Sequence, residues 1–234
     1  ARVFCQEGGR VAILDTDRGN GEALARELTE AGSGRAVFLD CDVTQPQRFQ
    51  AAVDQTVAES GRLDCMINNV GWHPPAQTID ETGIDDMERL MRLNYLTTFM
   101  GCKFALPHLR RTNGTIVNIS SMTAILGQEH AAAYCATKAA QVGLTRGLAI
   151  ELGPQGVRVN AILPSNIDTP LMREWANSLA DPVAAIRRKA EVQVFNRLGT
   201  PEEIGRVALF LATDDSSFLT GQAIEAEGGS SLDY

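Results

Sequence analysis

RVAILDTDRGNGEALARELTEAGSGRAVFLD, residues 10–40, decides the fold because it holds two short apolar runs on either side of a stretch of helix-forming composition. Runs rich in Val, Ile, Leu and Phe are typical of buried parallel strands, and a helix between two such strands gives a right-handed crossover. The same alternation continues and predicts strands at 10–15, 36–40, 63–68, 115–120, 157–163 and 223–227, and helices at 19–31, 46–60, 85–111, 132–152 and 201–213. A helix-rich insertion is expected at about 168–196. We therefore predict an α/β fold, a doubly wound parallel sheet in a single domain over residues 1–234.

Composition excludes several classes of protein. The formal charge of −8 opposes binding to nucleic acid or to an anionic membrane surface. No apolar run approaches the roughly 18 residues of a membrane-spanning helix. The five cysteines are scattered without a CxxC pair, and the three histidines form no HExxH or HxH pattern. We therefore expect no disulfide framework and no metal site, and we expect a reducing cytoplasmic location.

The N-terminus departs from the order expected of a dinucleotide-binding sheet, in which a strand and a glycine-rich turn precede the first helix. Residues 1–9, ARVFCQEGG, already resemble the end of such a helix. About 20 to 30 residues, comprising one strand, the turn and most of a helix, are therefore expected upstream. The GxG within RGNGEAL (18–24) is not taken as that turn, because it follows the strand at 10–15, which becomes the second strand of the sheet once the expected upstream strand is counted. A turn and a helix cap are the favoured interpretation.

Asp15 ends the strand at 10–15, where an acidic side chain accepts both hydroxyls of an adenosine ribose. A carboxylate there repels a 2′-phosphate, so NAD is predicted rather than NADP, although Arg18 lies close by in the sequence. The alternative is that Asp15 only caps the next turn. Asp42, in DCDVT, follows the next strand and is placed to reach the adenine amino group, although alone it reads as an ordinary strand-end residue.

AAYCATKAAQVG (132–143) places a phenol and an amine, Tyr134 and Lys138, one helical turn apart among small residues. Positions i and i+4 share a helix face, so both side chains are predicted to point into one cleft. An adjacent ammonium stabilises a phenolate, and we therefore expect it to lower the pKa of Tyr134 and make the phenol usable as an acid and base. The alternative is two unrelated surface residues.

Six motifs in a fixed order carry a resemblance to a known family: NNVG (68–71), LNYLTTF (93–99), VNISS (117–121), YCATK (134–138), LPSNIDTP (163–170) and TGQAIEAEGG (220–229). Together they resemble the classical short-chain dehydrogenase/reductase family, which has a Rossmann fold. The chain looks most similar to the branch of 17β-hydroxysteroid dehydrogenase type 14, L-fucose dehydrogenase and bacterial aldose dehydrogenases. Val70 and Ser165 replace the family's usual Ala and Gly, and both are expected to crowd a loop near the nicotinamide.

The resemblance implies a role for each member of a catalytic set. Tyr134 exchanges the proton with the substrate, and Lys138 supports it and also bonds the nicotinamide ribose. Ser121 polarises the reacting oxygen; Ser120 is the alternative, but neighbours on a strand face opposite sides. Asn94 would hold a water in a relay from Lys138 to solvent, although an isolated mid-helix Asn is more often a local binder of backbone.

The same resemblance implies the binding residues. Those for the cofactor are Asp15, Asp42, Val43, Asn69, Gly71, Tyr134, Lys138, Pro164, Ile167 and Thr169. Within this set, the Ile167 N–H and the Thr169 hydroxyl would fix the carboxamide, unless Thr169 only caps the following helix. Substrate contacts are implied for His73, Gln128 and Trp175, each of which has loop packing as its alternative.

The expected reaction transfers a hydride between NAD and a secondary alcohol or sugar lactol hydroxyl. Two alternatives stay open: a 3-oxoacyl thioester reductase using NADPH, and a non-catalytic binding protein that has lost its phosphate loop. The expected partners are a small alcohol or sugar and, by resemblance, other copies in a homotetramer built on the helices at 85–111 and 132–152.

Overall fold

The computed structural model describes residues 1–232 and has the predicted α/β architecture, with all strand pairs parallel. Its strands are β1 Arg10–Asp15, β2 Arg35–Asp40, β3 Cys65–Asn68, β4 Thr115–Ile119, β5 Arg158–Pro164 and β6 Ala223–Ala226. All six expected strands are confirmed, with ends that differ by at most two residues.

The helices lie where the sequence predicts them. They are α1 Arg2–Gln6, α2 Arg18–Glu30, α3 Pro46–Ser60, α4 Ile84–Leu90, α5 Thr97–Thr112, α6 Ala132–Leu152, α7 Pro170–Asn177, α8 Pro182–Glu191 and α9 Pro201–Ala212. The helix expected at 85–111 is divided by a π-helical turn, Met91–Leu96, between α4 and α5. The Asn94 carbonyl at this turn accepts from the Thr98 hydroxyl (3.1 Å) and from Gln141 Nε2 (2.7 Å). Side-chain donors thus bond to a carbonyl that, in a regular helix, would accept from a backbone N–H.

Two hydrogen-bonded ladders make up the sheet, β1–β2 and β3–β4–β5–β6. Among residues 1–232, no ladder joins β1 to β3. The two parts share a core nonetheless, because Leu14 of β1 and Met66 of β3 both pack against the cluster that includes Phe49 and Val53 of α3. The strand and glycine-rich turn expected upstream of residue 1 lie outside this chain and stay a prediction.

The central strands β4 and β5 are buried on both faces, as parallel strands covered by helices are. Ile116, Val117, Val159 and Ile162 are fully buried, and burial of each such side chain contributes roughly 1.5 to 3 kcal/mol. Helix α6 packs on β5, and α9 packs on β4 and β5. Because all strands run in one direction, their carboxyl ends bring Asp15, Asn69, Ser121 and Pro164 to the same edge of the structure.

The glycine pair of the RGNGEAL segment opens α2. Asp17 caps this helix by accepting from the Asn20 N–H (3.0 Å). A Cβ on Gly21 would lie 2.2 Å from the Phe38 ring of β2, so glycine is needed here for close helix–strand packing. The segment therefore serves packing and capping.

Candidate active site

Tyr134 and Lys138 lie in the first two turns of α6, beside the carboxyl end of β4. Lys138 is only 4% exposed, and its Nζ lies 5.9 Å from the centre of the Tyr134 ring. Nζ donates to the Ile119 carbonyl at 3.1 Å. The one-turn spacing thus places the amine behind the phenol and against the end of a central strand.

Burial, rather than the pair's mutual charge, controls the two pKa values. Desolvation lowers the pKa of Lys138 to about 8 and raises the pKa of Tyr134 to about 12. A hydrogen bond with Ser121 acts in the opposite direction on the pKa of Tyr134. The lowering of the Tyr134 pKa expected from the sequence is therefore wrong, because removal from water outweighs an ammonium 5.9 Å from the ring centre.

Ser120 and Ser121 follow β4 and face different surroundings. The Ser120 hydroxyl is buried and donates to the Lys138 carbonyl (2.9 Å) in α6. Ser121 is half-buried and accepts from the Thr123 N–H (3.2 Å), and its hydroxyl acts to lower the pKa of Tyr134. Ser121 is thus the serine whose hydroxyl adjoins the phenol.

Asn94, in the π-helical turn, is fully buried and holds the loop after β3. Its Oδ1 accepts from the Trp72 N–H (2.7 Å), and its Nδ2 donates to the Trp72 carbonyl (3.0 Å) and to the Thr137 hydroxyl (3.1 Å). The expected water relay stays a prediction. The contacts that the structure gives this side chain connect the loop to α6.

Gly71 lies at the closest approach of that loop to the lysine. A Cβ built on Gly71 would lie 3.2 Å from Lys138 Nζ and 3.4 Å from Asn94 Oδ1. Val70 is 38% exposed, and the crowding expected of it near the nicotinamide stays a prediction. Asn69 is also exposed, so the backbone from 69 to 71 is open to a ligand on the side of the sheet edge.

Carboxylates that follow β1 and β2 line the part of the sheet's carboxyl edge that these two strands form. Asp15 and Asp40 are register partners at the ends of the two strands. Arg18 is paired with Asp40, its Nη2 lying 2.8 Å from Asp40 Oδ2. Asp42 accepts on Oδ1 from the Thr44 N–H and hydroxyl, and these hydrogen bonds lower the pKa of Asp42. Its neighbour Val43 is buried.

The segment after β5 runs from Pro164 to the start of α7. Ile167 forms an isolated parallel bridge with Gly199, and the Thr169 hydroxyl accepts from the Met172 N–H (3.2 Å). Thr169 therefore caps α7, which was the alternative interpretation of this residue. A cap acceptor retains its own O–H as a donor, so the cap does not exclude a ligand contact.

His73 and Gln128 meet above the phenol. The centre of the His73 ring lies 4.3 Å from that of Tyr134, and Gln128 Nε2 lies 3.1 Å from His73 Nε2. His73 Nδ1 lies 2.6 Å from the Pro74 carbonyl, which can only accept, so Nδ1 carries the proton and Nε2 accepts from Gln128. Trp175 lies apart on α7, where Lys189 Nζ is 5.3 Å from its ring.

Sequence reasoning missed two residues that support this site. Thr137 accepts from Asn94 and donates to the Tyr134 carbonyl (2.8 Å), and its place between Tyr134 and Lys138 in the YCATK motif was an available signal. Gly199 holds Ile167 from 32 positions away, and only the structure brings these two residues together.

Neither a cluster of metal ligands nor a membrane-spanning helix is found in the part of the chain that the structure describes. Over residues 1–232, no group of three or more His, Cys, Asp or Glu side chains could hold a metal ion. Within the same range, no helix combines the length and apolar character that crossing a membrane requires.

The donors of Lys138 provide a test of whether a nicotinamide dinucleotide fits. An ammonium has three N–H donors, and the described residues supply one acceptor, the Ile119 carbonyl. A buried ammonium with unused donors is costly unless a ligand pairs with it. The ribose hydroxyls of a dinucleotide supply such acceptors, and the open backbone at Gly71 leaves space beside Nζ. The residues present therefore fit this group.

A parallel α/β sheet with a tyrosine, a lysine and a serine at its carboxyl edge defines a class of nicotinamide-dependent oxidoreductases. A family model described as "Enoyl-(Acyl carrier protein) reductase" matches residues 1–231. The chain belongs to the short-chain dehydrogenase/reductase family, as its motifs predict.

Relatives and solved structures support a dehydrogenase acting on CH–OH groups. L-fucose dehydrogenase of Oryctolagus cuniculus is 45% identical over 232 residues, covering 99% of this chain and 80% of the relative. An NAD⁺-bound xylitol dehydrogenase structure is 29% identical with a TM-score of 0.89, covering 97% of this chain and 92% of that one. An NADP-bound structure of ElxO is 28% identical with a TM-score of 0.89, covering 99% and 92%. The protein is a sugar or alcohol dehydrogenase of the NAD(P)-binding type. The two alternative hypotheses, a 3-oxoacyl thioester reductase and a non-catalytic binding protein, are not favoured.

Proposed function

We propose that the chain forms a single dinucleotide-binding catalytic domain that oxidises a sugar lactol or another secondary alcohol with NAD. The observation that carries the proposal is the cluster around Tyr134: the Lys138 Nζ lies 5.9 Å from the centre of its ring, the centre of the His73 ring lies 4.3 Å away, and the Ser121 hydroxyl acts to lower its pKa. The similarity to L-fucose dehydrogenase over 99% of the chain supports a sugar as substrate.

NAD supplies the hydride acceptor in this proposal. Ser121 donates to the reacting oxygen of the substrate, and the Tyr134 hydroxyl exchanges the proton with the same oxygen. Because burial raises the pKa of Tyr134 to about 12, the phenol is protonated at neutral pH. Proton acceptance from an alcohol therefore requires stabilisation of the phenolate, which we assign to the Lys138 ammonium and the Ser121 hydroxyl.

Cofactor placement follows the two halves of the sheet edge. Asp15 accepts from the adenosine ribose, with Asp42 and the Val43 N–H at the adenine and the backbone of Asn69 and Gly71 alongside. Lys138 donates to the nicotinamide ribose, while Pro164, Ile167 and Thr169 surround the carboxamide. The pairing of Arg18 with Asp40 supports NAD over NADP, because it leaves Asp15 with no ion pair among the described residues where a 2′-phosphate would lie. The Asp15 Oδ1 accepts from the Asp17 N–H (3.0 Å), the turn-capping contact of the alternative interpretation, and its Oδ2 stays available to a ribose hydroxyl.

Substrate recognition is assigned to the His73 and Gln128 pair. Since Gln128 donates its amide N–H to His73 Nε2, its carbonyl oxygen is directed elsewhere and can accept from a substrate hydroxyl. A polyol ring above Tyr134 presents several such hydroxyls. Trp175, 38% exposed on α7, would close over the sugar face only if α7 moves toward His73.

Assembly and location are proposed from the surface. Three exposed apolar side chains support burial of these helices between copies in a homotetramer: Leu96 at the end of the π-helical turn (42% exposed), Phe99 on α5 (41%) and Ile150 on α6 (81%). We propose a cytoplasmic location, supported by five cysteines that are all free thiols in the structure.

Absorbance at 340 nm tests the function, with NAD or NADP supplied to the alcohol substrates and NADH or NADPH supplied to the ketones. The substrates should include aldoses, secondary alcohols, steroids and 3-oxoacyl thioesters. We expect NADH formation with aldoses, L-fucose among them, and at least tenfold less with NADP. Turnover confined to acyl ketones and NADPH would contradict the proposal.

A further inference from the structure

Residues Arg197–Glu203 form a turn between the insertion and α9 that is closed by one carboxylate, and we refer to it as the Glu203 turn. Arg197 donates from Nη2 to Glu203 Oε1 (2.6 Å) and from Nη1 to Oε2 (2.9 Å). The Thr200 N–H donates to the same Oε2 (2.8 Å), and the Thr200 hydroxyl caps α9 by accepting from the Glu203 N–H (3.2 Å). The carboxylate therefore fixes both ends of a seven-residue segment and the start of a helix.

The hydrogen bonds to Arg197 and Thr200 lower the pKa of Glu203 to about 2. The turn is therefore closed by a charged group throughout the physiological pH range. Arg197 and Glu203 are both about half exposed, so this ion pair contributes little to global stability. Its consequence should appear in the local position of the turn.

Gly199 lies in the middle of the Glu203 turn and gives both of its backbone groups to the segment after β5. Its N–H donates to the Asn166 carbonyl (3.0 Å), and its carbonyl accepts from the Asp168 N–H (2.9 Å). These two hydrogen bonds flank Ile167. A Cβ on Gly199 would lie 2.6 Å from Ile167 Cδ1, so the two residues are in close contact and a side chain at 199 would displace the tip of Ile167.

Ile167 and Gly199 share the wall of one cavity of about 470 Å³ with Glu203. The next residues after Ile167 are Asp168, held by Gly199, and Thr169, which caps α7. A shift of the Glu203 turn would therefore pass through Gly199 to the backbone on both sides of Ile167. No side chain of the turn needs to touch a ligand for this to occur.

We propose that Glu203 is a positioning residue that holds Ile167 and Thr169 in the arrangement that receives the nicotinamide carboxamide. This inference rests on the carboxamide contacts in the proposed function. Glu203 acts on the nicotinamide half alone, because its contacts lead to the segment after β5 and the adenosine half lies at the ends of β1 and β2.

Calorimetric binding of NAD and of ADP-ribose, which lacks the nicotinamide, tests the proposal on the full-length protein. The variants are Glu203→Gln and Arg197→Gln, with Glu202→Gln as the matched control. Glu202 is the neighbouring carboxylate in the first turn of α9, so its replacement removes the same charge from the same helix end. Hydrogen exchange at the Asp168 amide, measured without cofactor, reports on the turn itself.

We expect Glu203→Gln and Arg197→Gln to weaken NAD binding about 5- to 10-fold, to leave ADP-ribose binding unchanged and to accelerate exchange at Asp168. The double variant should bind NAD no more weakly than either single variant, because both replacements break the same pairing of Arg197 with Glu203. Glu202→Gln should match the parent in all three measurements.

Unchanged NAD binding in Glu203→Gln, or an equal loss of NAD and ADP-ribose, would overturn the positioning role. Thr169→Val separates this failure from failure of the proposed carboxamide site. If Thr169→Val weakens NAD selectively while Glu203→Gln does not, only the positioning role is wrong. If Thr169→Val also leaves NAD binding unchanged, the carboxamide site is wrong and the role of Glu203 is lost with it.

Discussion

Replacement of Lys138 by Met should stabilise the cofactor-free protein while it abolishes turnover. The ammonium is 4% exposed and has one protein acceptor among the described residues, so its burial is poorly compensated. Met has a similar length and fills the same space without a charge. A catalytic group that destabilises its own fold is expected where function requires a ligand to complete the site.

The magnitude follows from the lowered pKa of Lys138, about 8 against 10.5 in the unfolded chain. Below pH 8 the folded state bears the whole cost of the buried charge, which is about 3 kcal/mol at pH 7. Between pH 8 and 10.5 the unfolded chain binds more protons, so stability rises with pH, by about 2 kcal/mol from pH 7 to 9.5. Loss of the hydrogen bond to the Ile119 carbonyl costs Met about 1 kcal/mol. The net gain from Lys138→Met should be about 2 kcal/mol at pH 7 and near zero at pH 9.5.

Urea unfolding followed by the fluorescence of Trp72 and Trp175 measures this difference at fixed protein concentration. Lys103→Met, at an exposed position on α5, is the control and should match the parent at both pH values. A variant no more stable than the parent at pH 7, or a gain that does not shrink by pH 9.5, would refute the reasoning.

Two further substitutions test the walls of the cleft. Asp15→Ser removes the ribose acceptor, so NAD affinity in a binding titration should fall about 10- to 100-fold while NADP affinity rises. The fall corresponds to roughly 1.5 to 3 kcal/mol for hydrogen bonds to a charged group. An unchanged ratio of NAD affinity to NADP affinity would contradict the assignment. Gly71→Ala places a Cβ 3.2 Å from Lys138 Nζ, and a displaced lysine should lower kcat about tenfold. Gly143→Ala, which meets nothing within 4 Å, should keep the parent's kcat, and equal rates in the two alanine variants would count against the close fit.

Local sequence patterns were sufficient to predict the strands and helices. The strand Thr115–Ile119 is a run of mainly β-branched residues that is buried almost throughout, and α6 follows the predicted bounds because its small residues suit a helix packed on a sheet. Such features depend on neighbours in sequence. The π-helical turn was not predictable in this way, since Gln141 supplies one of its contacts from 47 positions away.

The candidate site also combines features that local sequence predicts with features that depend on the tertiary structure. The spacing of Tyr134 and Lys138 predicted that the two would adjoin, because helical geometry is local. The direction of the Tyr134 pKa shift was not accessible from spacing, since it depends on burial by the whole fold. The hold of Gly199 on Ile167 and of Asn94 on Trp72 also required tertiary structure, because each joins distant loops through backbone groups that no sequence pattern marks.

The account depends most on the Tyr134 hydroxyl as the proton-exchanging group. Steady-state kcat/KM of Tyr134→Phe, measured beside NAD affinity by titration, tests this directly. We predict unchanged NAD affinity within about threefold and a loss of roughly 10²- to 10⁴-fold in kcat/KM, the range expected for removal of a general acid and base. A Tyr134→Phe protein that binds NAD and turns over at the parent's rate would contradict the central claim.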